Sequence, residues 1–270
     1  MRTVTKDTTL CVSLAARPSN IGTRFHNFLY EALDLDYVYK AFAPADLAGA
    51  VAGVRGLPIR GAAVSMPYKE AVIPMLDELD PSAAVLQSVN TIVNTDGHLV
   101  GHNTDYTAVA SLLRSHAVPV TPVLLRGSGG MAKAVGAALR DAGFTEGTLV
   151  ARNEVTGRAL ADELGWSWAP DVEGRTAPLV VNVTPIGMAG GQEADAQAFD
   201  DATIAAASVV FDVVALPAET PLVRAARASG TPVITGAEVI ALQAEEQFVL
   251  YTGVRPDPAL VREASEWSRR

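Results

Sequence analysis

The 270-residue chain has one cysteine, Cys11, so no disulfide can close within it and no multi-thiolate zinc centre can be built. Its four histidines, His26, His98, His102 and His116, show no metal-ligand spacing, and no metal is expected. No apolar run approaches the ~18 residues of a membrane-spanning helix, and the valine-rich stretch Val209 to Val214 is broken by Asp212. Basic residues are in the minority, 21 against 30 acidic ones, for a net charge of -9. That balance argues against a large nucleic-acid footprint and in favour of a small-molecule partner. Leu10 to Ala16 superficially resembles the apolar core of a secretory leader. However, Asp7 precedes it where a leader needs positive charge, and Arg17 follows without a small-residue cleavage pattern. It reads as a first strand of a cytoplasmic protein in a reducing compartment. Hydrophobic residues at 49% and charged ones at 19% give ample material for a core, and the length suits two domains.

Short β-branched runs alternate with amphipathic runs at helical spacing, the pattern of an α/β protein whose sheets are covered by helices. Leu10–Leu14, Val38–Phe42 and Ile59–Ser65 read as strands. Between and after them come a helix carrying Phe25, Phe28, Leu29 and Leu33, one opened by Pro44 with Leu47, Val51 and Val54, and one opened by Pro67 with Val72, Leu76 and Leu79. Val89–Thr95 is followed by Asp96-Gly97, which supplies the positive φ angles of a tight hairpin, with Leu99-Val100 returning. A helix with Val109, Leu112 and Leu113 then leads to strands at 120–125, 148–151, 179–184, 209–214 and 233–234, with helices at 132–142, 154–164 and 219–228 between them. Trp166 and Trp168 alternate as packing residues of a half-buried strand. After Gly236 a helix runs over 237–251, and Pro256 and Pro258 separate it from a terminal helix with Leu260 and Val261. The expected division is one domain of residues 1–104 plus 237–270 and a second of residues 105–236.

Gly127-Ser128-Gly129-Gly130-Met131-Ala132 follows a strand and opens a helix, the context in which G-x-G-x-x-A binds a dinucleotide. Gly127 permits the turn, Gly129 lets the backbone approach a pyrophosphate, and Ala132 lets the helix pack close to the strand. The helix start offers free amides and a positive dipole end to phosphate. About 20 residues further on stands the residue that reads the adenosine ribose, here within Ala151-Arg152-Asn153. Arg152 suits a 2′-phosphate and so NADP rather than NAD, its alternative being a solvated helix-start arginine. Lys69 follows the Ile59–Ser65 strand in the first turn of the Pro67 helix, where the positive helix end makes an ammonium less comfortable and suits acid–base work. Asp105, in Asn103-Thr104-Asp105, also reads as part of a helix cap.

Seven segments in order carry a resemblance to the shikimate dehydrogenase family. They are Phe25-His26-Asn27, Ser65 through Glu70, Ser88-Val89-Asn90-Thr91, Asn103-Thr104-Asp105, Gly127 through Gly130, Asn182-Val183-Thr184, and Gly236 leading to Gln243-Ala244. The resemblance implies an amino-terminal α/β substrate domain, a Rossmann-type NADP domain and last helices that return to the first domain. It implies that Lys69 and Asp105 hold the substrate hydroxyl and move its proton during hydride transfer, with Ser65, Asn90 and Gln243 around the substrate. Asn182, Thr184, Met188 and Gly236 would lie beside the cofactor. The activity implied is the interconversion of shikimate, or a closely related cyclic hydroxy acid, and its 3-dehydro ketone, within aromatic amino acid biosynthesis. A monomer and a homodimer both fit.

Members of the family carry Ser-x-Ser-Pro ahead of His-Asn, and its hydroxyls hold the substrate carboxylate. Here Asn20-Ile21-Gly22-Thr23 stands in its place, and Ala215 replaces a tyrosine that often follows the Asp212 strand. These departures resemble the shikimate dehydrogenase-like branch, whose members are poor with shikimate. Quinate or an aminoshikimate is the alternative substrate, and a non-catalytic NADP-binding regulatory module is the alternative from another class.

Overall fold

Two six-stranded sheets organise the computed structural model, which describes residues 3–270. The chain separates into two compact units. One ends at Thr104 and resumes at Ala241, and the other runs from Asp105 to Ile240. The break expected between 236 and 237 falls on the first residue of a long helix, α9 (Gly236–Thr252), so the division by packing comes four residues later.

The first unit contains β1 (Thr9–Leu14), α1 (Asn20–Ala32), β2 (Tyr37–Phe42), α2 (Leu47–Gly56), β3 (Gly61–Val64), β4 (Glu78–Leu79), α3 (Pro81–Ala84), β5 (Thr91–Thr95) and β6 (His98–His102). Its sheet runs β2-β1-β3-β5-β6-β4 and is mixed. β1 is parallel to β2 and β3, whereas β5 is antiparallel to both β3 and β6. Asp96 and Gly97 make the β5–β6 turn with φ of 53° and 88°, as the dipeptide predicts, and Asn94 Oδ1 accepts from the Gly97 amide at 2.8 Å. One side of the sheet buries Val12, Leu14, Val51, Val54, Ile92 and Leu99. The other packs Phe25, Leu29, Tyr30 and Tyr39 against Phe248 and Tyr251 of α9 and Val261 of α10 (Pro258–Ser268).

The second unit contains α4 (Thr104–Ser115), which begins on the last residue of the first, then β7 (Val123–Arg126), α5 (Gly130–Asp141), β8 (Gly147–Val150), α6 (Glu154–Leu164), β9 (Ser167–Ala169), β10 (Leu179–Asn182), α7 (Asp201–Ala206), β11 (Val209–Asp212), α8 (Pro221–Ala228) and β12 (Val233–Thr235). All its strand pairings are parallel, in the order β12-β11-β10-β7-β8-β9. Read from its own first strand, this is the 3-2-1-4-5-6 order of the dinucleotide-binding fold. Strands buried on both faces need continuous apolar runs, which is why Leu179-Val180-Val181 and Val210-Phe211 lack polar alternation. α6 matches its expected span because both ends are coded: Asn153 Oδ1 accepts from the Thr156 amide at 3.1 Å, and Gly165 closes the helix in the left-handed region at φ 72°.

The helix expected from Pro67 does not form. Tyr68, Ile73, Met75 and Leu76 donate their amides to Ser65, Glu70, Val72 and Ile73, three residues back, giving successive turns and a short 3-10 segment at Ile73–Met75. Pro74 contributes: it has no amide to donate, and its ring disfavours the carbonyl four residues back, at Glu70. Leu79 belongs to β4 instead. α2 starts at Leu47 rather than Pro44. The elements β4, α3 and α7, of two, four and six residues, are too short to show a period and were not expected.

Candidate active site

In the first unit the candidate substrate residues gather at one end of the mixed sheet. β1 and β3 are parallel and finish there at Leu14 and Val64. β5 is antiparallel to β3, so Asn90 stands just before its start at that same end, and β6 finishes beside it. Backbone bonds stitch these loops together: Ser65 N to Leu14 O at 3.0 Å, Val64 N to Asn90 O at 2.8 Å, Val89 N to Lys69 O at 2.8 Å, and Asn90 N to His102 O at 3.0 Å. The Ser65–Glu70 and Ser88–Thr91 segments and the residue before Asn103 thereby meet on one edge, although 25 residues separate Ser65 from Asn90.

Asn90 is the hub. It is 4% exposed, its Nδ2 donates to Thr104 Oγ1 at 3.0 Å, and its Oδ1 accepts from Thr91 Oγ1 at 2.9 Å and from the Thr104 amide at 2.8 Å. A buried amide with this many partners fixes the backbone at Thr104, the residue before Asp105. Asp105 is buried in the first turn of α4. Lys69 is half-buried on the turns after Ser65, and with no helix start beneath it the electrostatic argument drawn from the sequence does not apply. Ser65 is exposed and faces no packing demand. Gln243 is half-buried on α9. One turn later Gln247, which the sequence reading overlooked, donates to Asn90 O at 3.3 Å and Thr91 Oγ1 at 3.1 Å. Its i+4 spacing from Gln243 was the available signal.

Asn20 is the exposed first residue of α1, and Gly22 stands two residues on in the same turn. A Cβ built on Gly22 would meet the Tyr39 ring at 3.8 Å, an ordinary contact, so packing does not demand glycine here. His26, deeper in α1, is stacked on Tyr39 at 4.4 Å between ring centroids and tilted against Tyr251. It is fully buried, neither ring nitrogen has a hydrogen-bond partner among the described residues, and burial pushes its pKa down to about 3. His102, half-buried, sits 3.6 Å from Asp80, and burial lowers its pKa also.

In the second unit the glycine-rich turn is shaped for a phosphate. Gly127 has φ 127°, and a Cβ there would come within 2.7 Å of Val183, so the turn itself requires glycine. Gly129 and Gly130 are different: a Cβ on either would meet nothing within 4 Å. Nothing inside the protein asks for glycine at those two positions, whereas an approaching ligand would. Gly129 caps α5 with no side-chain bond to the helix amides, which leaves the first-turn donors facing outward. Met131 is half-buried and Ala132 fully buried against the sheet, as the motif requires. Beside this turn lies a cavity of about 490 Å³ lined by Gly127, Ser128, Gly129, Arg152, Thr184 and Arg126 among others. Ser128 Oγ sits 2.8 Å from Thr156 Oγ1 at its rim, and Arg152 is exposed. The residues present therefore fit a phosphorylated dinucleotide.

Two expected cofactor contacts have other work. Asn182 is fully buried, with Oδ1 accepting from the Thr184 amide at 3.1 Å and hydroxyl at 2.6 Å and Nδ2 donating to Asp212 at 2.9 Å. It holds Thr184 in place rather than presenting itself to a ligand. Asp212, whose pKa burial raises, accepts also from the Thr220 hydroxyl and the Val214 amide. A Cβ on Gly236 would come within 2.4 Å of the Val213 carbonyl, so the backbone packing alone explains that glycine. Met188 is exposed on the loop after β10. Arg126 was missed; a lone charge ending the apolar strand Val123-Leu124-Leu125 was its signal.

Residues 20–92 match the model of the shikimate dehydrogenase substrate binding domain. A shikimate dehydrogenase-like protein of Haemophilus influenzae is 51% identical over 98% of this chain and 98% of its own. The solved structure of a shikimate 5-dehydrogenase-like protein superposes with a TM-score of 0.96 at 50% identity, covering 99% of this chain and all of the other. Shikimate 5-dehydrogenase of Thermus thermophilus, solved with NADP(H) and shikimate, gives 0.86 at 31% identity, covering 96% of this chain and 99% of that one.

Proposed function

The chain belongs to the shikimate dehydrogenase family of NADP-dependent oxidoreductases, and we propose that it interconverts shikimate, or a closely related cyclic hydroxy acid, and the 3-dehydro ketone. When bound, NADP supplies the hydride acceptor at its nicotinamide. In this reading Lys69 and Asp105 hold the reacting hydroxyl and take up its proton as the hydride departs, so one site removes both hydrogens of the carbinol. The observation that carries the reading is the hydrogen-bonded edge of the first sheet. It binds Ser65, the Lys69 turn and Asn90 into one unit and, through Asn90 and Thr104, sets the backbone immediately before Asp105. Such pre-organisation is what positions a proton-handling group against a hydroxyl.

Asn20 and Gly22 favour an altered substrate. Asn20 can donate two N–H bonds to a carboxylate, but Gly22 offers no hydroxyl. Quinate or an aminoshikimate is then the competing client, with the same chemistry and the same lysine. The test is oxidation of shikimate and of quinate by the purified protein with NADP and with NAD, followed through reduced nicotinamide absorbance. NADP-dependent turnover of either acid supports the reading, and the absence of turnover with both of these and with an aminoshikimate refutes it. Lys69→Ala should lower turnover by at least about 100-fold while NADP binding persists. Normal turnover by that variant would remove Lys69 from the mechanism.

A further inference from the structure

Arg126 ends β7 directly before the glycine-rich turn, after three buried apolar residues. A guanidinium carries five donors. Among the described residues the Ala198 carbonyl is the one hydrogen-bond acceptor this side chain meets. Arg126 and Arg152 line the same cavity. Across from Arg152, at 3.8 Å, stands the Glu193 carboxylate. Burial pulls the Arg126 pKa down, Glu193 opposes that, and the like charge of Arg152 adds to it, so all three groups feel one another. Glu193 is anchored by its backbone, its carbonyl accepting from the Gly187 and Ala196 amides at 2.9 and 3.1 Å, which leaves only its side chain to swing. The Arg152–Glu193 pair is exposed and long, the kind that breaks readily. Asp171 also lines the cavity, but its Oδ1 accepts from the Glu173 amide.

We propose that Arg126 and Arg152 together bind the adenosine 2′-phosphate, and that Glu193 is an internal anion which pairs with Arg152 until that phosphate displaces it. The proposal rests on the NADP reading and adds to it a second cation and a built-in competitor. A phosphate offers three acceptor oxygens to two guanidinium forks, whereas the single carboxylate serves them poorly. Preference for NADP over NAD then depends on Arg126 as well as Arg152, and Glu193 sets how much phosphate is needed to fill the site.

The test is calorimetric binding of 2′,5′-ADP and of 5′-AMP to the full-length protein, its Arg126→Met and Glu193→Gln variants. Arg126→Met should weaken 2′,5′-ADP by at least about 10-fold, about 1.4 kcal/mol, and leave 5′-AMP within about 2-fold. Glu193→Gln should tighten 2′,5′-ADP by about 3-fold or more and again leave 5′-AMP unchanged. If the unaltered protein binds both nucleotides equally, the NADP reading itself fails. If it prefers 2′,5′-ADP but Arg126→Met weakens both nucleotides alike, or Glu193→Gln leaves 2′,5′-ADP unchanged, the NADP reading stands and this proposal falls.

Discussion

Acidification should destabilise this protein through one histidine. His26 is buried among Phe25, Tyr30, Tyr39, Phe248 and Tyr251, and its pKa lies near 3 against 6.5 when free. A depressed folded pKa means that the unfolded chain takes up the proton first. The stability that neutral His26 contributes is therefore whole above pH 6.5 and is lost progressively as the pH falls toward 3. Between about pH 7.5 and about pH 5, linkage makes this loss about 2 kcal/mol, a large part of a typical folding free energy. Asp77, Asp80 and Asp200 contribute little in that window, because their pKa values are lowered. Buried Asp212 and Glu245 have raised values and act with the opposite sign, which a variant comparison cancels. Urea titrations at several pH values on the protein and on His26→Phe measure the difference directly. Phe keeps an aromatic ring stacked on Tyr39 and cannot titrate. The slope of stability against pH should flatten by about 2 kcal/mol over the window in the variant. Parallel slopes, or a His26 imidazole resonance that titrates near pH 6.5 in the folded protein, would refute the reasoning.

Restoring both hydroxyls with Asn20→Ser and Gly22→Ser should lower the KM for shikimate by about 5- to 150-fold, the worth of one satisfied polar contact, without altering that for NADP. The space for a Cβ at Gly22 makes this a test of chemistry rather than of packing; an unchanged KM would show that the carboxylate is held elsewhere. Gly236→Ala forces a Cβ against the Val213 carbonyl and should destabilise by about 1–3 kcal/mol or more in urea titrations. Asn182→Ala strips a donor from buried Asp212 and releases Thr184, so stability should fall by about 3 kcal/mol and NADP affinity with it.

Elements with a full period and coded ends could be read from the sequence; those decided by a single breaker or by a distant partner could not. The helix α6 shows its cap and its glycine stop, and the Asp96-Gly97 hairpin shows its φ angles. The turns at Pro67 to Leu76 have apolar residues at helical spacing, and Pro74 works against that period. The site divides in the same way. The glycine-rich turn is local, so its residues announce its purpose. Gln247 and Arg126 act through residues at least 70 positions away, at Asn90, Thr91 and Ala198, so their local signals, an i+4 spacing and a lone charge at a strand end, do not say what they touch.

The glycines separate the two kinds of constraint that a motif confounds. Gly127 and Gly236 are required by the protein's own atoms, at 2.7 and 2.4 Å, and would be required whether or not a ligand ever bound. Gly129 and Gly130 face open space: Gly129 stands at the N-cap, where serine, aspartate or asparagine would also serve, and Gly130 in the first turn, where glycine costs up to about 1 kcal/mol relative to alanine, so packing requires neither. Gly22 belongs with this second pair: the fold has room for serine and the helix would gain from losing glycine. A residue that the fold neither needs nor favours points to the ligand. At the turn it argues for close approach of a phosphate.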